Sequence, residues 1–267
     1  MRRGAGLRAA FGAAAALALV AGAGAARAQV RTYSFPETRV EQPREENGCE
    51  IKPYTQCINA NLHGVDYSNA NLQQASFQNS NLEQANLTGA NLESADFRGA
   101  DLTDANLTQA DLTFASFQGA NLTHANFNSA TLDSANFTGA TLFKTDFRFA
   151  HMLRAKLADL DLRQTLLSNV KLGAADLERV RLSDADISSS SFDQSDFTDA
   201  DLTRANANGS SFQGANLSGV KLTSAILTGC DFTGAILAGA DLTKANLSGA
   251  TWIDGRVCAE QSIGTCK

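Results

Sequence analysis

Histidine is scarce in this 267-residue chain, and the three that occur, His63, His124 and His151, stand far apart. Their separation supplies neither a metal cluster nor a histidine–carboxylate pair for acid–base work. Glycine is dispersed rather than gathered, so no phosphate-cradling loop can be read. The one long apolar stretch, Ala9 to Ala26, is rich in Ala and Gly and short of Leu, Ile and Phe, which argues against a membrane-spanning helix. Across the remaining chain, the apolar spacings of 3.6 and 2 that mark helices and flat strands are both missing. A spacing of five replaces them.

From Leu62 to Trp252 an apolar residue recurs at every fifth position, through thirty-nine centres without insertion or deletion, and Ala207 is the one too small to count as a core side chain. Two places before the centre stands a small residue, Ala in twenty-seven cases and mostly Ser, Thr, Val or Cys in the rest, so both sites are expected to point inward. One place before the centre it is usually Asn or Asp, as in Ala85-Asn86-Leu87-Thr88-Gly89 and Ala100-Asp101-Leu102-Thr103-Asp104. Fixed-period self-similarity is the mark of a solenoid, in which stacking makes a core that no unit has alone. Phe77, Phe97, Phe117 and Phe137 lie twenty residues apart, as do Phe192, Phe212, Phe232 and Trp252. Large rings stack on large rings, so twenty residues make one coil of four pentapeptides with a square cross-section. Asn or Asp can hydrogen-bond local backbone at the corners, and glycines such as Gly89, Gly99, Gly139 and Gly249 can supply the positive φ of type II turns.

The A-[DN]-L-x-x pattern closely resembles the pentapeptide-repeat family over 191 residues. That resemblance implies an all-β fold, a right-handed quadrilateral β-helix of roughly ten coils. Functions in the family vary widely and include protection of type II topoisomerases by imitation of DNA.

Five sections are expected: a signal peptide (1–28), an extended or disordered lead (29–48), an N-terminal cap (49–61), the solenoid (62–252) and a C-terminal cap (253–267). Arg2, Arg3 and Arg8 precede the Ala-rich stretch, and Ala26-Arg27-Ala28 closes it as an A-x-A cleavage site. Arg2-Arg3 raises a twin-arginine route, which Gly4-Ala5-Gly6-Leu7 does little to support. Export to the periplasm or beyond follows, with no stable membrane insertion after cleavage. No Cys follows the cleavage site for lipid attachment. In an exported protein, Cys49 with Cys57 and Cys258 with Cys266 read as two local disulfides clasping the solenoid's ends, while Cys230 sits inside at a small site. A metal site competes less well, since the pairs lie at opposite ends without His. Capped ends favour a monomer.

The outer faces carry no convergent catalytic set. Asp159 with Asp161 and Asp199 with Asp201 fall at corners of a convex tube with no indicated cleft, so the chain reads as neither enzyme nor cofactor binder. Charge is segregated: residues 62–140 carry −7, 141–182 carry +3, and 183–254 carry −6. The basic girdle also breaks the rule of small polar outer residues, and Phe143, Arg148, Phe149, His151, Leu153 and Arg154 form a candidate contact patch. Stacking by twenty also sets Arg179 between Asp159 and Asp199, Arg181 between Asp161 and Asp201, and Lys156 beside Asp176, so these charges can equally be inter-coil ladders. Three functions stay open. The first is an exported scaffold binding a protein or envelope component. The second is an acidic nucleic-acid mimic, disfavoured by export and by the girdle; the third is a passive structural envelope protein.

Overall fold

The computed structural model describes residues 45–46 and 48–267. The expected signal peptide, and all of the lead except 45, 46 and 48, lie outside the described residues. A short antiparallel pair, β1 (Glu45–Glu46) and β2 (Cys49–Glu50), precedes the repeats. From Gln56 onward the backbone is held by isolated parallel bridges between residues twenty apart, beginning Gln56↔Ser76 and Asn61↔Asn81 and ending Asp231↔Thr251. Four consecutive bridge positions complete one turn of the chain, so each coil has four sides. Among the described residues there is no α-helix, and none long and apolar enough to cross a membrane.

The two inward sites per pentapeptide make a continuous core. Leu87, Leu102, Leu107 and Phe117 are fully buried, as are the alanines Ala85, Ala105 and Ala125 at the small site. Phe77, Phe97, Phe117 and Phe137 stack with ring centroids 5.2, 5.1 and 5.0 Å apart. Phe192, Phe212 and Phe232 stack in the neighbouring column at 5.1 and 5.3 Å, and Trp252 ends that column edge-on at 6.0 Å. Where the small site holds a hydroxyl or thiol, burial demands a partner, and at most such sites the coil below supplies it. Thr145 donates to the Leu122 carbonyl at 2.8 Å, Ser210 to that of Ile187 at 2.8 Å, and the Cys230 thiol to that of Ala207 at 3.0 Å.

Asn and Asp act at the corners as their chemistry suggests. The carboxylate of Asp101 accepts both the amide (3.0 Å) and hydroxyl (2.6 Å) of Thr103, and Asn121 in the next coil donates to it at 3.2 Å. Glycine's part is smaller than its chemistry implies. Gly89 and Gly99 do have positive φ, but so do Asn69, Gln84, Asp104 and even Phe114 and Phe149 at the equivalent position. Each such residue carries strain of about 1–3 kcal/mol, tolerated because the rungs above and below over-determine the turn.

Disulfides join Cys49 to Cys57 and Cys258 to Cys266, with Cα separations of 5.6 and 4.9 Å, and Cys230 is a buried free thiol. The second cap is less complete than two sealed ends would require. Its returning chain pairs Ile263 with Asn246 and Val257 with Thr251, which covers two sides; those of Ile236 and Asp241 carry no further bridge, and Leu237 and Leu242 are partly exposed. After Trp252 the chain turns back antiparallel onto the last coil instead of adding a further one.

Candidate interaction surface

Two neighbouring sides of the stack each lack a rung: Leu166 and Asp186 are unbridged on one, without the Leu167–Asp186 and Asp186–Thr165 bonds, and the other opens further. In the regular repeat each centre donates its amide to the carbonyl nineteen residues on, as Leu102 does to Asn121 and Leu122 to Thr141, both at 2.8 Å. The equivalent bond from Leu142 to Asp161 is absent, as are those from Asp161 to Ala140, Gly139 to Ala158 and Lys144 to Arg163. No bridge joins Thr141 to Asp161, although Asn136↔Lys156 and Asp146↔Leu166 close the corners on either side. The seam opens into a cleft of about 400 Å³ between Gly139–Phe143 and Asp159–Gln164, with Arg181 at its rim. This corrects the expectation that Asp159 and Asp161 sit on a convex surface without a cleft.

The cause is local sequence. Leu160 occupies a small site, with Ala140 below it and Val180 above in the same column. It is buried, so its three extra carbons relative to Ala must be housed between coils packed for a methyl group. The next small site holds Thr165, which bonds within its own coil to Leu162 of the preceding pentapeptide at 2.7 Å. The adjoining turn is altered too: Gln164 lacks the positive φ found at Lys144 and Asp184 in the same column.

Both signs of charge line the opening. Asp161 receives Arg163 through two bonds of 2.8 and 2.7 Å, and Arg181 reaches the same carboxylate from the next coil at 3.1 Å. The hydrogen bond from Arg163 is the chief reason that the Asp161 carboxyl is held below its ordinary range, with the charges of both arginines adding to it. Arg179 clamps Asp159 at 2.7 and 2.9 Å, and that hydrogen-bonded pair keeps the Asp159 carboxyl below its usual range as well. Apolar surface is contributed by Leu142, Leu160 and the half-exposed ring of Phe143, over which Lys144 lies at 5.3 Å. No catalytic pairing is evident in this set, because each carboxylate is already engaged by guanidinium.

The six residues expected to form one patch fall on three successive sides of a coil. Phe143 lies on the open side, Arg148 and Phe149 on the next, and His151, Leu153 and Arg154 on the third. Residues ten apart, such as Phe143 and Leu153, occupy opposite sides of a four-sided coil and cannot touch one partner surface together. Arg148 folds onto Asp146 at 2.7 Å, while Leu153 and Arg154 border a separate depression with Gly173, Asp193 and Gln194. Of the expected patch only Phe143 reaches the seam. The ladder reading fits more of the charges: Arg179–Asp159 and Arg181–Asp161 form, and Arg204 joins Asp184 at 2.6 Å. Lys156 bridges Asp176 through backbone alone. Among the described residues no group of three His, Cys, Asp or Glu could hold a metal.

Residues 55–127 match the model of the pentapeptide repeat region, and segments spanning 110–251 match that of pentapeptide repeats in eight copies. The chain belongs to the pentapeptide-repeat family. Among solved pentapeptide-repeat structures it is similar to HetL, involved in heterocyst differentiation regulation in the cyanobacterium Nostoc sp. strain PCC 7120. Identity is 30% over 77% of this chain and 92% of HetL, with a TM-score of 0.54. A pentapeptide repeat protein of the Arabidopsis thaliana thylakoid lumen is 39% identical over 36% of this chain and 67% of its own, with a TM-score of 0.29. QnrB1, a plasmid-mediated fluoroquinolone resistance protein, is 21% identical over 74% of this chain and 90% of its own, with a TM-score of 0.39. No curated protein sequence matches this pentapeptide-repeat chain.

Proposed function

We propose that this chain is an exported, non-catalytic binding protein that holds a protein partner at the open side of its stack. The seam carries the reading: of the two neighbouring sides on which inter-coil rungs are missing within the stack, it is the one that opens into a cleft with donors, acceptors, arginines and an aromatic ring accessible. Ligand sites are concave and mix apolar walls with a few fixed polar groups, which describes this cleft and not the flat sides around it. Export rests on the Arg-led, Ala-rich start ending at Ala26-Arg27-Ala28. The paired cysteines at both ends suit an oxidising compartment. Nucleic-acid mimicry would require uninterrupted rows of free carboxylates, whereas Asp159, Asp161 and Asp184 are each neutralised by an arginine.

Site-specific photo-crosslinking in intact cells tests the proposal. A crosslinking residue at Gln164, exposed beside the seam, is expected to trap a discrete protein adduct, while the same group at exposed Gln109 on a closed side is not. Equal adducts at both positions, or none at Gln164, would overturn it. Fractionation of the same cells checks export, since a chain retained in the cytoplasm with residues 1–28 intact contradicts it.

A further inference from the structure

We infer that the occupant of the seam is a short extended peptide segment bearing an acidic side chain, whose backbone takes the place of the missing rungs. The inference rests on the reading of the seam as a binding site and names what binds there. Its first support is the kind of backbone group left over. The amides of Gly139, Leu142, Lys144 and Asp161 and the carbonyls of Ala140, Ala158, Asp161 and Arg163 lose their inter-coil partners together, Leu142 and Asp161 on the two facing sides and Gly139 and Lys144 at the left-handed turns that bound them. A simple anion could satisfy the amides but not the carbonyls. A hydrocarbon could satisfy neither, whereas a peptide presents a donor and an acceptor at each residue and adds to an exposed sheet edge.

Charge supplies the second support. Arg163 and Arg181 share the single carboxylate of Asp161, and Arg181 meets it through one nitrogen at 3.1 Å. A guanidinium has five donors in a planar fork, so Arg181 retains a free edge at the rim for a second carboxylate. Asp159 does not compete for that edge, being held by Arg179. The apolar lining is the third support. Leu142, Leu160 and Phe143 give an alternate side chain of the same peptide an apolar seat, consistent with a strand whose neighbouring side chains point to opposite faces. A peptide that alternates apolar and acidic residues meets all three requirements.

The test uses three fluorescein-labelled pools of N-acetylated, C-amidated hexapeptides that alternate Val or Leu with Glu, with Gln or with Lys, measured by anisotropy against the exported form of the protein. The Glu pool is expected to bind best and the Lys pool worst. Arg181→Gln is expected to remove the preference for Glu over Gln while leaving both bound. Leu160→Ala, which lets the coils close, is expected to weaken the Glu pool by about tenfold or more. Hydrogen exchange gives a readout independent of affinity: the Leu142 and Asp161 amides should exchange fast in the free protein and slowly with the Glu pool or in Leu160→Ala. No binding of the Glu pool, equal binding of all three pools, displacement of the Glu pool by glutarate alone, or amides already slow in the free protein would overturn the inference. An adduct at Gln164 without peptide binding would leave the seam a contact site and remove only the peptide.

Discussion

Thr165 donates its hydroxyl to the carbonyl of Leu162, 2.7 Å away in the preceding pentapeptide of the same coil, whereas Thr145 one coil earlier reaches across to Leu122. The across-coil partner for Thr165 would be Leu142, twenty-three residues back as Leu122 is from Thr145. Leu142 is also where the seam begins, so the hydroxyl's local bond and the lost rungs report one displacement. Leu160 accounts for both, since its bulk stands between Ala140 and Val180 where a methyl group is usual.

Removing that bulk should therefore behave unlike an ordinary core truncation. Leu107→Ala, in a regular coil, is expected to cost about 2–5 kcal/mol for lost burial and the cavity left behind. Leu160→Ala loses the same atoms but allows up to four inter-coil hydrogen bonds to form, each contributing about 0.5–1.5 kcal/mol. Urea denaturation should show Leu160→Ala within about 1 kcal/mol of wild type or more stable. A loss equal to that of Leu107→Ala would show that the seam is not held open by Leu160.

The spacing of five, the small site and the twenty-residue coil were legible because every unit repeats them and neighbours must match in width. The cysteine pairs were legible because each is local. The seam was signalled only by Leu160 and Thr165 at consecutive small sites and by Leu166 at a normally polar corner. Such departures do not say whether the stack will repack or part, because that depends on how far one coil can shift while its corners stay bonded. The patch failed for a simpler reason. Phe143, Phe149 and Leu153 are near in sequence, but a chain that turns at every fifth residue sends them to different sides.

A charge placed inside should unfold the stack. Leu107 is fully buried among apolar neighbours, and aspartate there would have no partner for its carboxylate. Leu107→Asp is expected to lose more than about 4 kcal/mol or to fail to fold at neutral pH. A thermal melt matching wild type would contradict the inward assignment of the repeat's centre.

Cys230 carries a pH signature. Burial is the main cause of its thiol being pushed up to about 12, against about 8.5 for an exposed cysteine. Above about pH 8.5 the unfolded chain therefore releases a proton that the folded chain keeps. Stability contributed by the neutral thiol is complete below that value and is lost progressively towards pH 12. Ser210 shows that a hydroxyl fits the same kind of site. Cys230→Ser should gain melting temperature relative to wild type as the pH rises above about 8.5 towards 12, and not below it. A constant difference between the two proteins would exclude the effect. In the native protein the thiol should also resist alkylation until the chain is unfolded.

The half-covered end makes the second disulfide a local clamp. The chain it closes, from Cys258 to Cys266, supplies the carbonyls of Ser262 and Cys258 to the amides of Leu247 and Gly249 at 2.8 and 3.1 Å. Releasing it frees a short loop, worth about 2.5 kcal/mol in unfolded-chain entropy, at an end where two sides already lack rungs. Opening should then stay local, because stacked repeats contact only their neighbours. In Cys258→Ser the Leu247 and Gly249 amides are expected to lose hydrogen-exchange protection while Leu107 keeps its own. Trp252 is the chain's single tryptophan, sits partly buried on Phe232, and gives a direct optical readout. Its emission should shift to the red as the cap leaves. Unchanged emission together with a large drop in protection at Leu107 would mean that the cap holds the whole stack rather than its last coil.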